Sequence, residues 1–239
     1  MKKVHFTLQG KGGVGKSFVS SLIAQYYVDK GLPITCIDTD PVNATLVGYK
    51  SLNARHINLL DGSTVNERGF DEMMEQVVAD DTNFVIDNGA SSFVPLSNYL
   101  VENDAIQMIQ THGKAVVVHT VVTGGQSMMD TLKGFKSLAS QLPPAANLVV
   151  WQNEYFGEIE ADGKRFEDMQ VYRDFRDRVM ATIRIPRQTS STFGKDVELM
   201  LESKLTFADV AGGGEFGLMA KQRLSQVRKT IFDQLAIVV

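Results

Sequence analysis

Short apolar runs alternate along this chain with stretches whose apolar residues recur at helical spacing. Val4-His5-Phe6-Thr7-Leu8 is apolar and β-branched for most of its length and closes on Gln9-Gly10, the profile of a buried strand with a turn after it. From Ser17 to Lys30, Val19, Leu22, Ile23, Tyr26 and Tyr27 return at helical spacing until Gly31 and Pro33 stop the run. Ile34-Thr35-Cys36-Ile37 predicts a second strand ending at Asp38, and Phe84-Val85-Ile86 a third ending at Asp87. Residues 116–122, 148–151 and 182–185 complete the strands. Helices are predicted around 70–78, 95–101, 128–142, 166–178, 197–201 and 218–235.

Strands without a polar face, alternating with helices, imply an α/β fold: a mainly parallel twisted sheet with helices on both faces. In such sheets the ligand crevice lies beyond the carboxyl ends of the strands, where residues 10–17, 38–40 and Asp87 converge. No internal repeat or linker breaks the pattern, so residues 1–239 are expected to form a single domain.

Composition narrows the function. With 24 Lys and Arg against 28 Asp and Glu, net charge is -4, so no overall positive field draws the protein to nucleic acid or lipid. A single cysteine, Cys36, excludes an intrachain disulfide framework or cysteine metal cluster. No apolar run approaches the roughly eighteen residues of a membrane span, and Met1-Lys2-Lys3 does not open a signal peptide, so a cytoplasmic protein is expected.

Gly10-Lys11-Gly12-Gly13-Val14-Gly15-Lys16-Ser17 fits the P-loop pattern G-x4-G-K-S, with a strand before it and a helix after. Its glycines let backbone amides point inward at an anion, and the helix opening at Lys16 adds its positive dipole end. Lys16 would reach the outer phosphates and the Ser17 hydroxyl would ligate Mg2+. Asp38 and Asp40 repel at this spacing, which calls for a cation or a water network beside them. Asp87, delivered by a hydrophobic strand, suits a residue that orients magnesium-bound water. Taken alone, each aspartate also fits a solvated cap or turn.

The early lysine, Lys11, makes K-G-G-x-G-K-S, the deviant Walker A pattern, and the loop resembles that of the ParA and MinD family of dimeric ATPases. Asp38-Thr39-Asp40-Pro41 is similar to that family's D-x-D-P, Asp87 to its Walker B position, and Asn153 to its adenine-facing Asn. This resemblance implies ATP and Mg2+ as cofactors and a homodimer on ATP binding, with Lys11 crossing to the partner's nucleotide. It implies Lys11, Lys16 and Asp40 as the catalytic set, Asp40 positioning the attacking water. It implies nucleotide contacts from Gly10, Lys11, Gly12, Gly13, Val14, Gly15, Lys16, Ser17, Phe18, Asn153 and Pro186, and metal contacts from Ser17, Asp38 and Asp87.

Two departures narrow the resemblance. Asp40-Pro41-Val42-Asn43 lacks the Gln of partition proteins, and Asn88-Gly89-Ala90-Ser91-Ser92 replaces the paired prolines after Asp87. With Asp38 to Thr45, Ile86 to Leu96 and His119 to Gly125, these segments resemble the TraL family of conjugative plasmids, which implies a slow switch ATPase in conjugative DNA transfer with a protein of that machinery as partner. The alternative is a ParA-like ATPase that partitions or positions DNA or protein cargo, with a local DNA contact. A ligase or reductase on the same fold is a third class, the reductase needing bridging cysteines.

Other features read as structural. His5, His56, His112 and His119 are far apart and lack metal-ligand spacing. The last helix carries Lys221, Arg223, Arg228 and Lys229 beside Leu224, Val227, Ile231 and Leu235; a docked stripe explains it better than a membrane anchor, and stable membrane insertion is not expected. Trp151 and Phe156 either pack under a base or fill the core.

Overall fold

The computed structural model describes residues 1–61 and 64–239, with backbone alone at 60, 61, 64, 65 and 67. Among the described residues seven parallel strands form one sheet: β1 (Lys2–Thr7), β2 (Ile34–Asp38), β3 (Arg55–His56), β4 (Asn83–Asp87), β5 (Lys114–Thr123), β6 (Asn147–Asn153) and β7 (Val179–Ile185). Their spatial order is β7-β6-β5-β1-β4-β2-β3. The chain is thus an α/β P-loop NTPase fold, with β1 at the centre carrying the phosphate loop at its carboxyl end.

Alternation along each strand feeds two cores. Val4, Phe6, Val116, Val118, Leu148 and Val150 face one side, where α2 (Glu67–Ala79), α3 (Phe93–Glu102), α4 (Ala105–Thr111) and α5 (Met128–Gln141) pack. Val117, Val121, Val149 and Trp151 face the other, under α1 (Lys16–Asp29), α7 (Phe193–Glu202), α8 (Phe207–Gly212) and α9 (Leu218–Leu235). Burial on both faces is why these strands carry no polar side.

The helix expected over 166–178 is broken. A 3-10 turn at Phe166–Asp168 precedes α6 (Gln170–Phe175), and another at Arg176–Arg178 follows it. Met169 is extended at ψ 144, which lets both Met169 and the fully buried Phe166 enter the core, Phe166 edge-on to Phe135 at 5.7 Å. Tertiary packing overrides helical periodicity there. The short helices α4 and α8 escaped the sequence pattern because seven and six residues give too few turns for a period.

Helix α9 buries Leu224, Val227, Ile231 and Leu235 against the sheet. Its cations are engaged: Arg223 with Asp196, Arg228 with Asp29, and Lys229 with Asp233. Gln234 both donates to Arg184 O at 3.0 Å and accepts from Arg184 N at 2.7 Å, filling the place of a neighbouring strand at the β7 edge. No described helix is long and apolar enough to cross a membrane.

Candidate functional site

The phosphate loop is shaped by left-handed glycines. Gly13 sits at φ +73 and Gly15, which caps α1, at φ +99, conformations that any Cβ disfavours. No side chain caps α1, so its first amides stay available at the loop. Lys16, 7% exposed, donates from Nζ to Lys11 O at 3.0 Å. Burial lowers its pKa, and the charges of Asp87 and Asp40 oppose that shift. Lys16, Asp40 and Asp87 therefore share one electrostatic neighbourhood.

Asp87 ends β4 with no outlet to solvent. Its Oδ1 lies 3.0 Å from Ser20 Oγ, while Oδ2 accepts no hydrogen bond among the described groups. Burial pushes the carboxyl up to about 7; the Ser17 hydroxyl, Ser20 and the charge of Lys16 work against that rise, and Asp38 adds to it. A buried carboxylate oxygen without a donor is costly. Beside the Ser17 hydroxyl, it fits a site that holds a hydrated divalent cation.

Asp38 is fully buried, and its two oxygens accept from Asp40 N at 3.0 Å and from Leu46 N at 2.8 Å, with Val47 N at 3.3 Å. Burial raises its pKa and the three amides oppose the rise. Asp38 thereby fixes the loop that carries Asp40. The Asp40 Oδ1 accepts from Val42 N at 2.9 Å and Asn43 N at 3.1 Å, and its backbone oxygen contacts His56 Nε2 at 3.2 Å.

A cavity of about 610 Å³ opens here, lined by Gly12, Lys16, Ser17, Phe18, Asp40, Tyr49 and Lys204 among others. Its size is in the range of small-ligand sites. Asn153 closes the other flank of the loop: Nδ2 donates to Val14 O at 2.9 Å, and Oδ1 accepts from Tyr155 N at 3.2 Å. Pro186 follows Ile185, the β7 residue in register with Asn153. Lys11 turns aside, its Nζ 2.9 Å from Asp130 Oδ2 in an exposed pair. Trp151 belongs to the core, fully buried, while Phe156 is exposed.

Gln9, immediately before the motif, escaped the sequence reading. Fully buried, it donates from Nε2 to Val121 O at 2.8 Å and Thr131 O at 3.1 Å, and so ties the loop to β5 and α5. A Cβ at Gly134 would stand 2.1 Å from Gln9 Oε1. Since Gln9 is held at its far end, Gly134→Ala is expected to destabilise the protein by about 1–3 kcal/mol, read as a lower urea midpoint at unchanged m-value. An unchanged midpoint would mean that Gln9 swings clear.

The nucleotide binding domain pattern of CobQ, CobB, MinD and ParA matches residues 6–212. Two Escherichia coli proteins, each named Protein TraL, are 49% and 48% identical over 235 residues, covering 98% of this chain and 98% of theirs. The MinD cell division protein of Aquifex aeolicus superposes with TM-score 0.51 at 17% identity, covering 97% of both chains. A chain of the Aquifex aeolicus MinC:MinD complex gives TM-score 0.51 at 13% identity, over 97% of this chain and 96% of that one. These structural likenesses speak to fold alone.

Proposed function

This chain belongs to the CobQ/CobB/MinD/ParA nucleotide-binding domain family, with the TraL proteins among its relatives, and we propose that it is a slow, ATP-dependent dimerising switch in conjugative plasmid DNA transfer. The observation that carries the reading is the meeting of Lys16, Ser17 and Asp40 at one cavity, with Asp87 charged against Lys16. The cytoplasm is its place of action.

ATP is the substrate, with residues 10–17 cradling its phosphates, Phe18 and Pro186 beside the nucleoside and Asn153 at the adenine. Ser17 would hold Mg2+, with Asp38 and Asp87 on its waters, and the ion would neutralise charge developing on the phosphates. Asp40 orients a water oxygen at the γ-phosphorus; the new P–O bond forms as the β–γ bridging bond breaks, releasing ADP and phosphate. The buried Lys16 spreads positive charge over the transferring group.

Exposed apolar side chains close in sequence to site residues support a second copy. Val42 is 72% exposed and Tyr155 59%, each beside a site residue, and Met129 precedes the lysine-paired Asp130 at 58% exposure. For Lys11 to reach a partner's nucleotide it must leave Asp130. That contact is solvent-exposed and screened by water and salt, so nucleotide binding can displace it. The conjugation-machinery partner would read the closed dimer. Partition through a DNA contact at α9 has less support, because Arg223, Arg228 and Lys229 are already paired there; salt-sensitive DNA affinity appearing only with ATP would restore it.

Mixing two inactive variants tests the switch. Lys11→Ala and Asp40→Ala are each expected to hydrolyse ATP poorly. In a mixed dimer the Lys11→Ala subunit keeps its own Asp40 and receives an intact Lys11 from its partner, completing one site. Equal mixing makes half the dimers mixed, so phosphate release should return to about a quarter of the unmutated rate. No gain over the average of the two variants, with mixed dimers established by mass, would reject the trans-acting lysine.

A further inference from the structure

Lys204 holds an unusual position. It sits in the turn after α7 with φ +53, its N–H donating to Leu201 O at 3.2 Å. Helices end this way most comfortably on glycine, since a side chain in the left-handed region is strained. Its stem lies against Gly48, where an added Cβ would come within 3.0 Å of Lys204 Cγ. The ammonium lies 6.0 Å from the centroid of the Tyr49 ring, and both residues line the cavity that holds Lys16 and Asp40. Among the described residues no carboxylate forms an ion pair with Lys204, whereas Lys11, Lys195 and Lys229 each have one. Strain that persists at a ligand cavity points to a role for the side chain.

Lys16 and Lys204 both line this cavity, and two ammonium groups there suit the oxygens of a polyanion. We infer that Lys204 is a second phosphate-contacting cation, reaching the nucleotide's phosphate chain from the turn after α7. The inference rests on the nucleotide-binding reading above. It assigns α7 and the turn after it to the binding site, with Gly48 leaving room for the lysine stem and Tyr49 flanking the ammonium.

The test compares Lys204→Gly, Lys204→Gln and Lys204→Arg in the full chain with Mg2+ and fluorescent ATP or ADP. Glycine accepts φ +53 without strain, so Lys204→Gly should melt no lower than the unmutated protein while binding ATP about tenfold more weakly. Lys204→Gln should lose the same affinity and Lys204→Arg should recover most of it. The loss should be smaller for ADP, and ATP affinity should depend less steeply on salt in the Gly and Gln variants, one charge contact having gone. Unchanged ATP affinity in Lys204→Gly and Lys204→Gln, with the unmutated protein binding, overturns this inference alone, as does a Lys204→Arg protein no better than Lys204→Gly. No binding by the unmutated protein, and no difference from Lys16→Ala, overturns the nucleotide reading as well.

Discussion

Lys16→Ala is expected to lower ATP affinity by more than about a hundredfold while the protein remains folded. Lys16 is 7% exposed and its ammonium makes one internal bond, to Lys11 O. That bond is easily exchanged for phosphate oxygens, which offer charge-assisted contacts to a largely buried ammonium. The substitution removes the cation beside Asp87, and with it the opposition that Lys16 offers to protonation of that carboxyl. Folding should survive, because alanine is a better helix former than lysine at the start of α1 and Gln9 still anchors the loop from below. Equilibrium binding of fluorescent ATP, with circular dichroism on the same sample, checks both halves. Tight ATP binding by a folded Lys16→Ala protein would remove the lysine from the phosphate site.

Acid sensitivity is the second large effect, and it comes from a buried chain of polar groups that crosses the sheet. Trp151 Nε1 donates to His119 Nδ1 at 3.0 Å, which leaves His119 its proton on Nε2. His119 Nε2 lies 2.9 Å from His5 Nδ1, and His5 Nε2 lies 2.8 Å from Tyr27 Oη. The bonds are all satisfied only when each imidazole is neutral and donates in one direction, from Trp151 towards Tyr27. Burial holds His119 down at about 3, and burial with the neighbouring His119 and Lys3 charges holds His5 well below its ordinary range.

In the unfolded chain both imidazoles take up protons below about pH 6.5, whereas the folded protein resists until far lower pH. Their contribution to stability is complete above that value and is lost as pH falls from about 6.5 towards 3. Asp87 runs the other way: its folded carboxyl titrates near 7, so it gains stability as pH falls from there to the carboxylate range and offsets one of the two histidines. His119→Gln isolates the effect, because glutamine can accept from Trp151 and donate to His5 without titrating. Between pH 7 and 5 the unmutated protein should lose about 2 kcal/mol more stability than His119→Gln, read from urea unfolding at each pH. Parallel stability curves would mean that His119 takes up its proton in the folded protein as readily as in the unfolded chain.

Much of the candidate site was legible because its residues are contiguous. A phosphate cradle needs successive amides on a glycine-bent backbone opening into a helix, and residues 10–17 supply them in a row. Asp38 and Asp87 could be placed at one edge because each closes an apolar run, and parallel strands all end on the same side. The broken segment at 166–178 shows where periodicity misleads: Phe166 and Met169 are read equally well as a helix stripe, and only the core that receives them decides otherwise.

Local spacing and burial on both faces of each strand were enough to read the α/β class, the glycine loop that opens into α1 at Lys16 and Ser17, and the carboxylates at the strand ends. The tertiary structure decided which distant groups meet. Strand order sets His119 beside His5 and places Gln9 against α5, and the packing of α7 against α9 carries Lys204 to the cavity of Lys16. Side chains far apart in the chain become neighbours only through the order in which strands pair and helices stack, and that order has no local signature.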